Sequence, residues 1–258
     1  MISETDIRSY ADNGFLVVQN VLSAQEVAAL RAVTDEFIAR SREVSSHDAV
    51  YDLEPGHSAA EPRVRRIKTP HLQHAVYDGI ARHPRILGIL GKLVSPAIRF
   101  DTSKLNVKAA NYGAAVEWHQ DWAFYPHTND DLAAVGVMMD DCEVENGPLL
   151  CIPGSHRGPV LDHHSDGEFC GAIDPSATEI DFGAAVPLTG PAGSISIHHV
   201  RTIHGSATNV SSKPRRLLLF QYRAADAWPL VGSQQPSWEE WQALMLCGDD
   251  PLDRKSVV

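Results

Sequence analysis

The feature that most constrains the fold of this chain is a change of pattern near residue 97. Beyond that point short β-prone runs alternate with joints rich in Gly and Pro, and no helical periodicity separates them. This succession is typical of an antiparallel β sandwich or barrel. The predicted strands are 98–107, 133–139, 149–152, 194–198 and 217–222.

The part of the chain before residue 97 is predicted to be mostly helical. Ser3 with Asp6 and Ser23 with Glu26 have the spacing of a capping box, in which each side chain accepts a hydrogen bond from the other residue's backbone amide. Each box therefore predicts the start of a helix. The other predicted segments are a strand at 15–18, a loop at 43–62, helices at about 72–82 and 84–94, an irregular insertion at 161–186 and a final helix at 238–245.

Length and charge narrow the class of protein. A β domain of 258 residues is routinely one domain, so we expect a helical part at about 1–95, a β core at about 97–223 and a C-terminal extension at 224–258. The chain has 22 Lys and Arg against 33 Asp and Glu. This acidic balance argues against nucleic acid or an anionic membrane as a partner. Because there is neither an apolar run of 18 residues nor a signal-peptide pattern, we expect a cytoplasmic protein.

The sharpest candidate site lies within residues 118–122. His119 and Asp121 are two positions apart, so on an extended segment both side chains point to the same face and can reach one ion. An imidazole and a carboxylate suit Fe(II), Mn(II) or Zn(II). His204 offers a third ligand, and two His with one carboxylate form a facial triad that leaves coordination positions open. His198 and His199 are the alternatives for the third ligand.

Arg215 follows His204 by 11 positions, at the start of an apolar run. An Arg that enters a strand beside a metal site can form a bidentate fork with the carboxylate of a ligand. Arg216 would point to the opposite face of the strand, and we expect it to lie in solvent.

Further motifs surround these residues. In chain order the motifs are Asp12 with Gly14-Phe15-Leu16-Val17-Val18, His119-x-Asp121, Asn146-Gly147-Pro148-Leu149, Ile152-Pro153-Gly154-Ser155-His156, and His204-Gly205-Ser206 with Asn209 and Arg215. Together they resemble the phytanoyl-CoA dioxygenase family of Fe(II)/2-oxoglutarate-dependent oxygenases, over about residues 7–223. The resemblance implies a mainly β protein with N-terminal helices, whose core is a double-stranded β-helix (the jelly-roll, cupin-like fold).

The resemblance also implies a reaction. Fe(II) would be bound by His119, Asp121 and His204, and 2-oxoglutarate and O2 would be consumed with release of succinate and CO2. The outcome would be hydroxylation, or another oxidation, of a small organic metabolite. Trp122 and Phe124 directly follow the metal motif and could line the substrate pocket.

The resemblance assigns the cosubstrate to basic side chains. It places the distal carboxylate of 2-oxoglutarate on Arg215, with Ser206 nearby, and offers Lys68 and Lys104 as further contacts. Two other classes are open from the residues alone. A zinc hydrolase could use the same triad, although it has no evident need for Arg215, and a non-catalytic β sandwich that binds a small molecule needs no metal.

Overall fold

A computed structural model describes residues 2–231 and 237–250 of the chain. The helices are α1 (Glu4–Asn13), α2 (Ala24–Arg40), α3 (Pro70–Gln73), α4 (Ala75–Ala81), α5 (Pro84–Leu93) and α6 (Trp238–Ala243). Among the described residues, no helix is long and apolar enough to cross a membrane.

The strands form two main antiparallel sheets. The strands are β1 (Phe15–Val18), β2 (Tyr51–Leu53), β3 (Val64–Lys68), β4 (Ile98–Lys108), β5 (Val116–His119), β6 (Leu132–Met138), β7 (Leu149–Cys151), β8 (His164–Ser165), β9 (Glu168–Phe169), β10 (Val186–Leu188), β11 (Ile195–His199), β12 (His204–Ser206), β13 (Arg215–Ala224) and β14 (Met245–Cys247).

The order of the strands confirms the predicted jelly-roll class. The larger sheet runs β1-β11-β6-β13-β4-β3-β2, with β14 paired to β4, and the smaller sheet runs β10-β7-β12-β5. Apart from β2, β3 and β4, which follow one another in the chain, paired strands of the two sheets are distant in sequence, as in a Greek-key arrangement. The pair β8-β9 forms a separate hairpin within the predicted insertion.

The N-terminal helices begin where the capping boxes predict. The Ser3 amide donates to Asp6 Oδ2 at 2.8 Å, and the Ser23 amide donates to Glu26 Oε2 at 2.8 Å. Helix α1 ends at Gly14, whose φ is 82°. A Cβ at Gly14 would lie 2.5 Å from His156 Nδ1, so this turn needs glycine for both its backbone conformation and its space.

The predicted boundary between a helical part and a β part is only partly right. Strands β2 and β3 lie before residue 97 and join the larger sheet, although residues 43–62 were predicted to be a loop. Strand β3 is not recognisable from the sequence because it is rich in basic residues. Val64 and Ile67 are buried, and the residues between them are polar. Helix α2 buries Val27, Leu30 and Phe37 in a core shared with the larger sheet.

The prediction that Arg216 lies in solvent is wrong. Its side chain is buried, and Nε and Nη2 donate to the two oxygens of Asp140 at 2.9 and 2.7 Å. Nη1 donates to Asp35 at 2.7 Å. This bidentate ion pair ties the start of β13 to the end of β6 and, through Asp35, to helix α2.

The Arg216–Asp140 pair provides a test of the fold. Removing one partner of a buried ion pair leaves the other charge uncompensated, so Asp140→Ala should lower the free energy of unfolding by about 3 kcal/mol or more. Asp35 also contacts Arg216, but its side chain is 65% exposed, so Asp35→Ala should cost about 1 kcal/mol or less. Urea unfolding of the wild type, Asp140→Ala and Asp35→Ala measures both losses in the free energy of unfolding. Equal losses in the two variants would contradict the role given to Asp140.

Candidate metal centre and cavity

Antiparallel pairing brings the predicted metal ligands together. His119 is the last residue of β5, and His204, the first residue of β12, lies directly opposite it in the register. Asp121 begins the single turn of helix that follows β5. Two strands and one turn therefore deliver three side chains to one point.

The three side chains form a compact and buried group. Oδ1 of Asp121 lies 3.7 Å from His119 Nε2 and 3.9 Å from His204 Nε2. All three potential ligand atoms lie within 4.8 Å of one another. This spacing suits a single ion bound by two imidazoles and one carboxylate.

Backbone carbonyls orient both imidazoles. His119 Nδ1 lies 2.8 Å from the carbonyl of Glu117, and His204 Nδ1 lies 2.9 Å from that of Thr202. A carbonyl accepts only from a protonated nitrogen, so each Nδ1 carries the hydrogen and each Nε2 presents its lone pair to the centre. Such a contact is the usual second partner of a metal-binding histidine.

The charge states also suit a metal ion. Burial lowers the pKa of His119 to about 4 and that of His204 well below its usual range. Burial alone would raise the pKa of Asp121, but Lys104, His204 and His198 outweigh it and lower that pKa well below its usual range. Two neutral imidazoles and an ionised carboxylate are the forms that bind metal.

His198 supports the site without belonging to the ligand group. Its Nε2 lies 3.3 Å from Oδ2 of Asp121, the oxygen that is not shared with the other two imidazoles. A hydrogen bond there would leave Oδ1 for the metal. His199 is directed elsewhere, because its ring contacts that of His156. The sequence pattern suggested His198 only as an alternative ligand, because its position next to Asp121 depends on the pairing of β11 with β6.

The metal centre opens into a cavity of about 540 Å³. Both main sheets contribute to its walls. Of the side chains predicted for cosubstrate or substrate, those that line it are Lys104, Phe124, Ser206 and Arg215. The cavity is large enough for two small ligands side by side.

Arg215 is a buried cation without a carboxylate partner among the residues that the structure describes. Its side chain donates from Nε to the carbonyl of Gly147 at 3.1 Å, and Nη2 donates to the same oxygen. Ser206 Oγ accepts a hydrogen bond of 2.8 Å from Lys108 Nζ. Burial lowers the pKa of Lys108 to about 7, and the neighbouring Arg215 acts in the same direction. Lys108 is not among the residues that the sequence predicts for the site.

Lys68 and Trp122 are not brought to the cavity. Lys68 Nζ forms an ion pair with Asp52 at 2.9 Å and donates to the carbonyl of Asp48 at 2.7 Å. Trp122 packs against a separate cluster that contains Leu132. Both side chains therefore have structural partners, and neither lines the wall that faces the triad.

The insertion that follows β7 covers one side of the metal centre. Phe124 packs edge-on against His119, with ring centroids 5.8 Å apart, and against Phe169 of β9 at 5.2 Å. A Cβ at Gly171 would lie 2.7 Å from the Phe124 ring. The hairpin β8-β9 and the residues after it thus hold the Phe124 ring against His119.

Comparison with known proteins agrees with this geometry. The family model "Phytanoyl-CoA dioxygenase (PhyH)" matches residues 10–217. The chain belongs to the phytanoyl-CoA dioxygenase family. The expected resemblance is thereby confirmed, and the zinc hydrolase and the non-catalytic sandwich are set aside.

Relatives within this group share an oxidative chemistry. The chain is 40% identical over 245 residues to a probable alpha-ketoglutarate-dependent hypophosphite dioxygenase of Stutzerimonas stutzeri, covering 93% of this chain and 85% of the relative. It is 32% identical to the L-proline trans-4-hydroxylase of Streptomyces griseoviridis, covering 85% and 86%. This member of the phytanoyl-CoA dioxygenase family is an iron- and 2-oxoglutarate-dependent dioxygenase.

A solved structure supports the fold. The iron-bound EctD of S. alaskensis superposes with a TM-score of 0.74 at 24% identity, covering 91% of this chain and 82% of that one. At this identity the likeness concerns the cupin-like fold of the family.

The metal centre can be tested through thermal stability. A ligand that binds only the folded protein stabilises it by about 2.7 kcal/mol at 100 times its Kd, which is about 5–10 °C in Tm for a chain of this size. Mn(II), chosen because unlike Fe(II) it is stable in air, should produce this shift in the wild type and not in His204→Ala. His199→Ala should keep the shift, because His199 faces away from the triad. The reverse pattern would show that His199, and not His204, is the third ligand.

Proposed function

We propose that this enzyme binds Fe(II) through His119, Asp121 and His204 and uses 2-oxoglutarate to oxidise a small molecule in the adjoining cavity. The observation that carries the proposal is the buried triad next to Arg215, a buried cation without a carboxylate partner among the described residues. A triad supplies three protein ligands and leaves room for exchangeable ones. A cation in the same cavity supplies the charge that a dianionic cosubstrate requires.

Arg215 and Ser206 are suited to hold the distal carboxylate of 2-oxoglutarate. Gly147 accepts from one side of the Arg215 guanidinium, which fixes its orientation while other N–H groups stay available. Ser206 Oγ already accepts from Lys108, so its own hydroxyl hydrogen is free to donate to an anion. Lys108 is thus a positioning residue, and the pair of donors matches the two oxygens of a carboxylate.

Lys104 is suited to the other end of the cosubstrate. Its ammonium forms no hydrogen bond or ion pair with the residues that the structure describes, and its charge lowers the pKa of Asp121. The carboxylate of a keto acid that binds beside Asp121 would find its nearest cation there. Lys104 therefore balances charge at the metal end, as Arg215 does at the distal end.

Bound Fe(II) supplies the activation of O2 and couples it to the conversion of 2-oxoglutarate into succinate and CO2. The side chains of this protein orient the ligands and set their charge states. The imidazoles are held in one tautomer, Asp121 is kept ionised, and Phe124 packs against His119. Such pre-organisation lets reactive chemistry proceed next to the substrate rather than in solvent.

The substrate is expected to be small and polar. The relatives named above act on hypophosphite and L-proline, and an ectoine dioxygenase of Bordetella parapertussis is 28% identical over 242 residues. Each of these compounds would fit in the cavity together with 2-oxoglutarate. Hypophosphite is the first candidate, since its oxidation accompanies the highest of these identities.

Formation of succinate tests the proposed activity. The purified enzyme with Fe(II), 2-oxoglutarate and O2 should form succinate faster when a suitable candidate among hypophosphite, L-proline and ectoine is added. Mass spectrometry measures succinate and oxidised product together. Asp121→Ala should form neither, because it lacks the anionic ligand. Full activity in that variant, or a wild type that never consumes 2-oxoglutarate, would contradict the proposal.

The role of Arg215 can be measured by cosubstrate affinity. Removing one partner of a desolvated charge pair costs about 2–5 kcal/mol, so Arg215→Ala should weaken 2-oxoglutarate binding by roughly 30- to 5000-fold. Arg215→Lys should recover only part of the loss, because an ammonium cannot form two parallel hydrogen bonds. Anaerobic titration of the iron–2-oxoglutarate absorption band gives the three affinities.

Lys213 provides a matched control for Arg215. It is close in sequence, carries the same charge and forms an exposed ion pair with Glu143. Lys213→Ala should bind 2-oxoglutarate as the wild type does, and Mn(II) should stabilise all of these variants equally. An unchanged affinity in Arg215→Ala would remove Arg215 from the cosubstrate site.

A further inference from the structure

Three neighbouring strands of the larger sheet each place a cation in the cavity. Strand β13 contributes Arg215, β4 contributes Lys104 and β3 contributes Arg66. The exposed Arg65 also lines the cavity. The carboxylates among the lining residues are Asp121 and Glu117, so the part of the wall formed by the larger sheet is strongly positive.

The cosubstrate accounts for only two of these cations. 2-Oxoglutarate has two carboxylates, and the proposed function assigns one to Arg215 and the other to the neighbourhood of Lys104. No carboxylate of the cosubstrate is left for Arg66. Low-dielectric walls concentrate the field of an uncompensated charge, and such a cavity attracts a further anion.

Arg66 is held in place but is only partly neutralised. Its Nε donates to Asn106 Oδ1 at 3.3 Å, and its Nη1 lies 3.4 Å from Asp52 Oδ2. Asp52 forms a shorter ion pair, 2.9 Å, with Lys68, so a single carboxylate serves two cations. Nη2 of Arg66 makes no hydrogen bond with the residues that the structure describes. One edge of the guanidinium is therefore available to a ligand.

The register of the sheet directs Arg66 to the cavity. Arg66 lies opposite Asn106 of β4, and Asn106 lies opposite Leu217 of β13. All three of these residues line the cavity, so they form one row across the sheet. The side chain of Arg66 is 38% exposed, so a small anion that enters the cavity can reach its free edge.

We infer that Arg66 binds an oxyanion group of the primary substrate and so determines the substrate class. The inference rests on the proposed function, because it depends on the assignment of 2-oxoglutarate to Arg215 and Lys104. A planar guanidinium forms two parallel hydrogen bonds with carboxylates and with phosphorus oxyanions alike. The shared chemistry is thus a small substrate with a planar or tetrahedral oxyanion group, bound in the cavity that Arg66 and the triad both line.

Binding of oxyanions in the presence of the cosubstrate tests this inference without turnover. Calorimetric titrations would be performed anaerobically on the enzyme with Fe(II) and saturating 2-oxoglutarate. The probes are hypophosphite, methylphosphonate and L-proline, with the uncharged dimethyl ester of methylphosphonate as the neutral reference. At least one oxyanion should bind, and the neutral ester should not. Binding of the two phosphorus probes would indicate a phosphorus oxyanion as the substrate group, and binding of L-proline would indicate a carboxylate.

Variants of Arg66 then assign the contact. Loss of a charged hydrogen-bond partner should weaken oxyanion binding in Arg66→Gln by roughly 10- to 150-fold, and Arg66→Lys should lie between. Lys68→Gln is the matched control, since it removes one positive charge from the same strand and from the same Asp52, but outside the cavity. The control should bind the oxyanion normally, and all variants should bind 2-oxoglutarate normally.

Several outcomes would overturn the inference. One is an oxyanion affinity in Arg66→Gln equal to that of the wild type. Another is an equal loss of oxyanion affinity in Lys68→Gln and Arg66→Gln, which would reflect only the summed positive charge of strand β3. A wild type that binds 2-oxoglutarate but none of the oxyanions would refute the inference and leave the proposed function intact. A wild type that does not bind 2-oxoglutarate would refute both.

Discussion

The pairing of β12 with β5 is the interaction on which the rest of the site depends. It places His204 opposite His119, and a slip of one residue would turn one imidazole to the other face of the sheet. Strand β12 has only three residues, so its register needs support from outside. That support comes from β7 on its other edge and from Gly205, whose added Cβ would lie 2.9 Å from the carbonyl of Val116. The close approach of the β12 and β5 backbones thus requires glycine at position 205, between His204 and Ser206.

The two sheets divide the chemistry between them. The smaller sheet and the turn after β5 provide the proposed metal ligands, which are neutral imidazoles and one carboxylate. The larger sheet provides Arg215, Lys104 and Arg66 on three adjacent strands. A metal ion and several anions can then be bound in one cavity without direct contact between the cations and the imidazoles. The field of Lys104 still reaches Asp121 and keeps that carboxylate ionised.

Sequence alone was sufficient to select His119, Asp121 and His204 as a group that the fold brings together, because two residues of one short extended segment share a face and an ordered motif surrounds His204. It was not sufficient for residues whose role depends on distant pairing. Arg216 looked like a strand-end cation, and only the approach of Asp140, which lies just after β6, shows it to be buried. Lys68 had the position that the family pattern suggests, but Asp52 on the adjacent strand β2 binds it. Strand β3 itself could not be predicted, because its sequence, rich in basic residues, shows no alternation of apolar and polar positions that would mark a strand.

The arrangement of β3 explains how substrate preference and metal chemistry can be altered separately. Among the described residues, Arg66 contacts Asp52 and Asn106 but none of the three metal ligands. A change at position 66 would therefore alter the charge that the cavity offers to a substrate, while the spacing of the imidazoles and Asp121 would stay as it is. His198 has the opposite character, because its contact with Asp121 Oδ2 couples any change there directly to the ligand group. Substrate selection at the edge of the larger sheet and oxidation at the smaller one are thus physically separable in a single cavity.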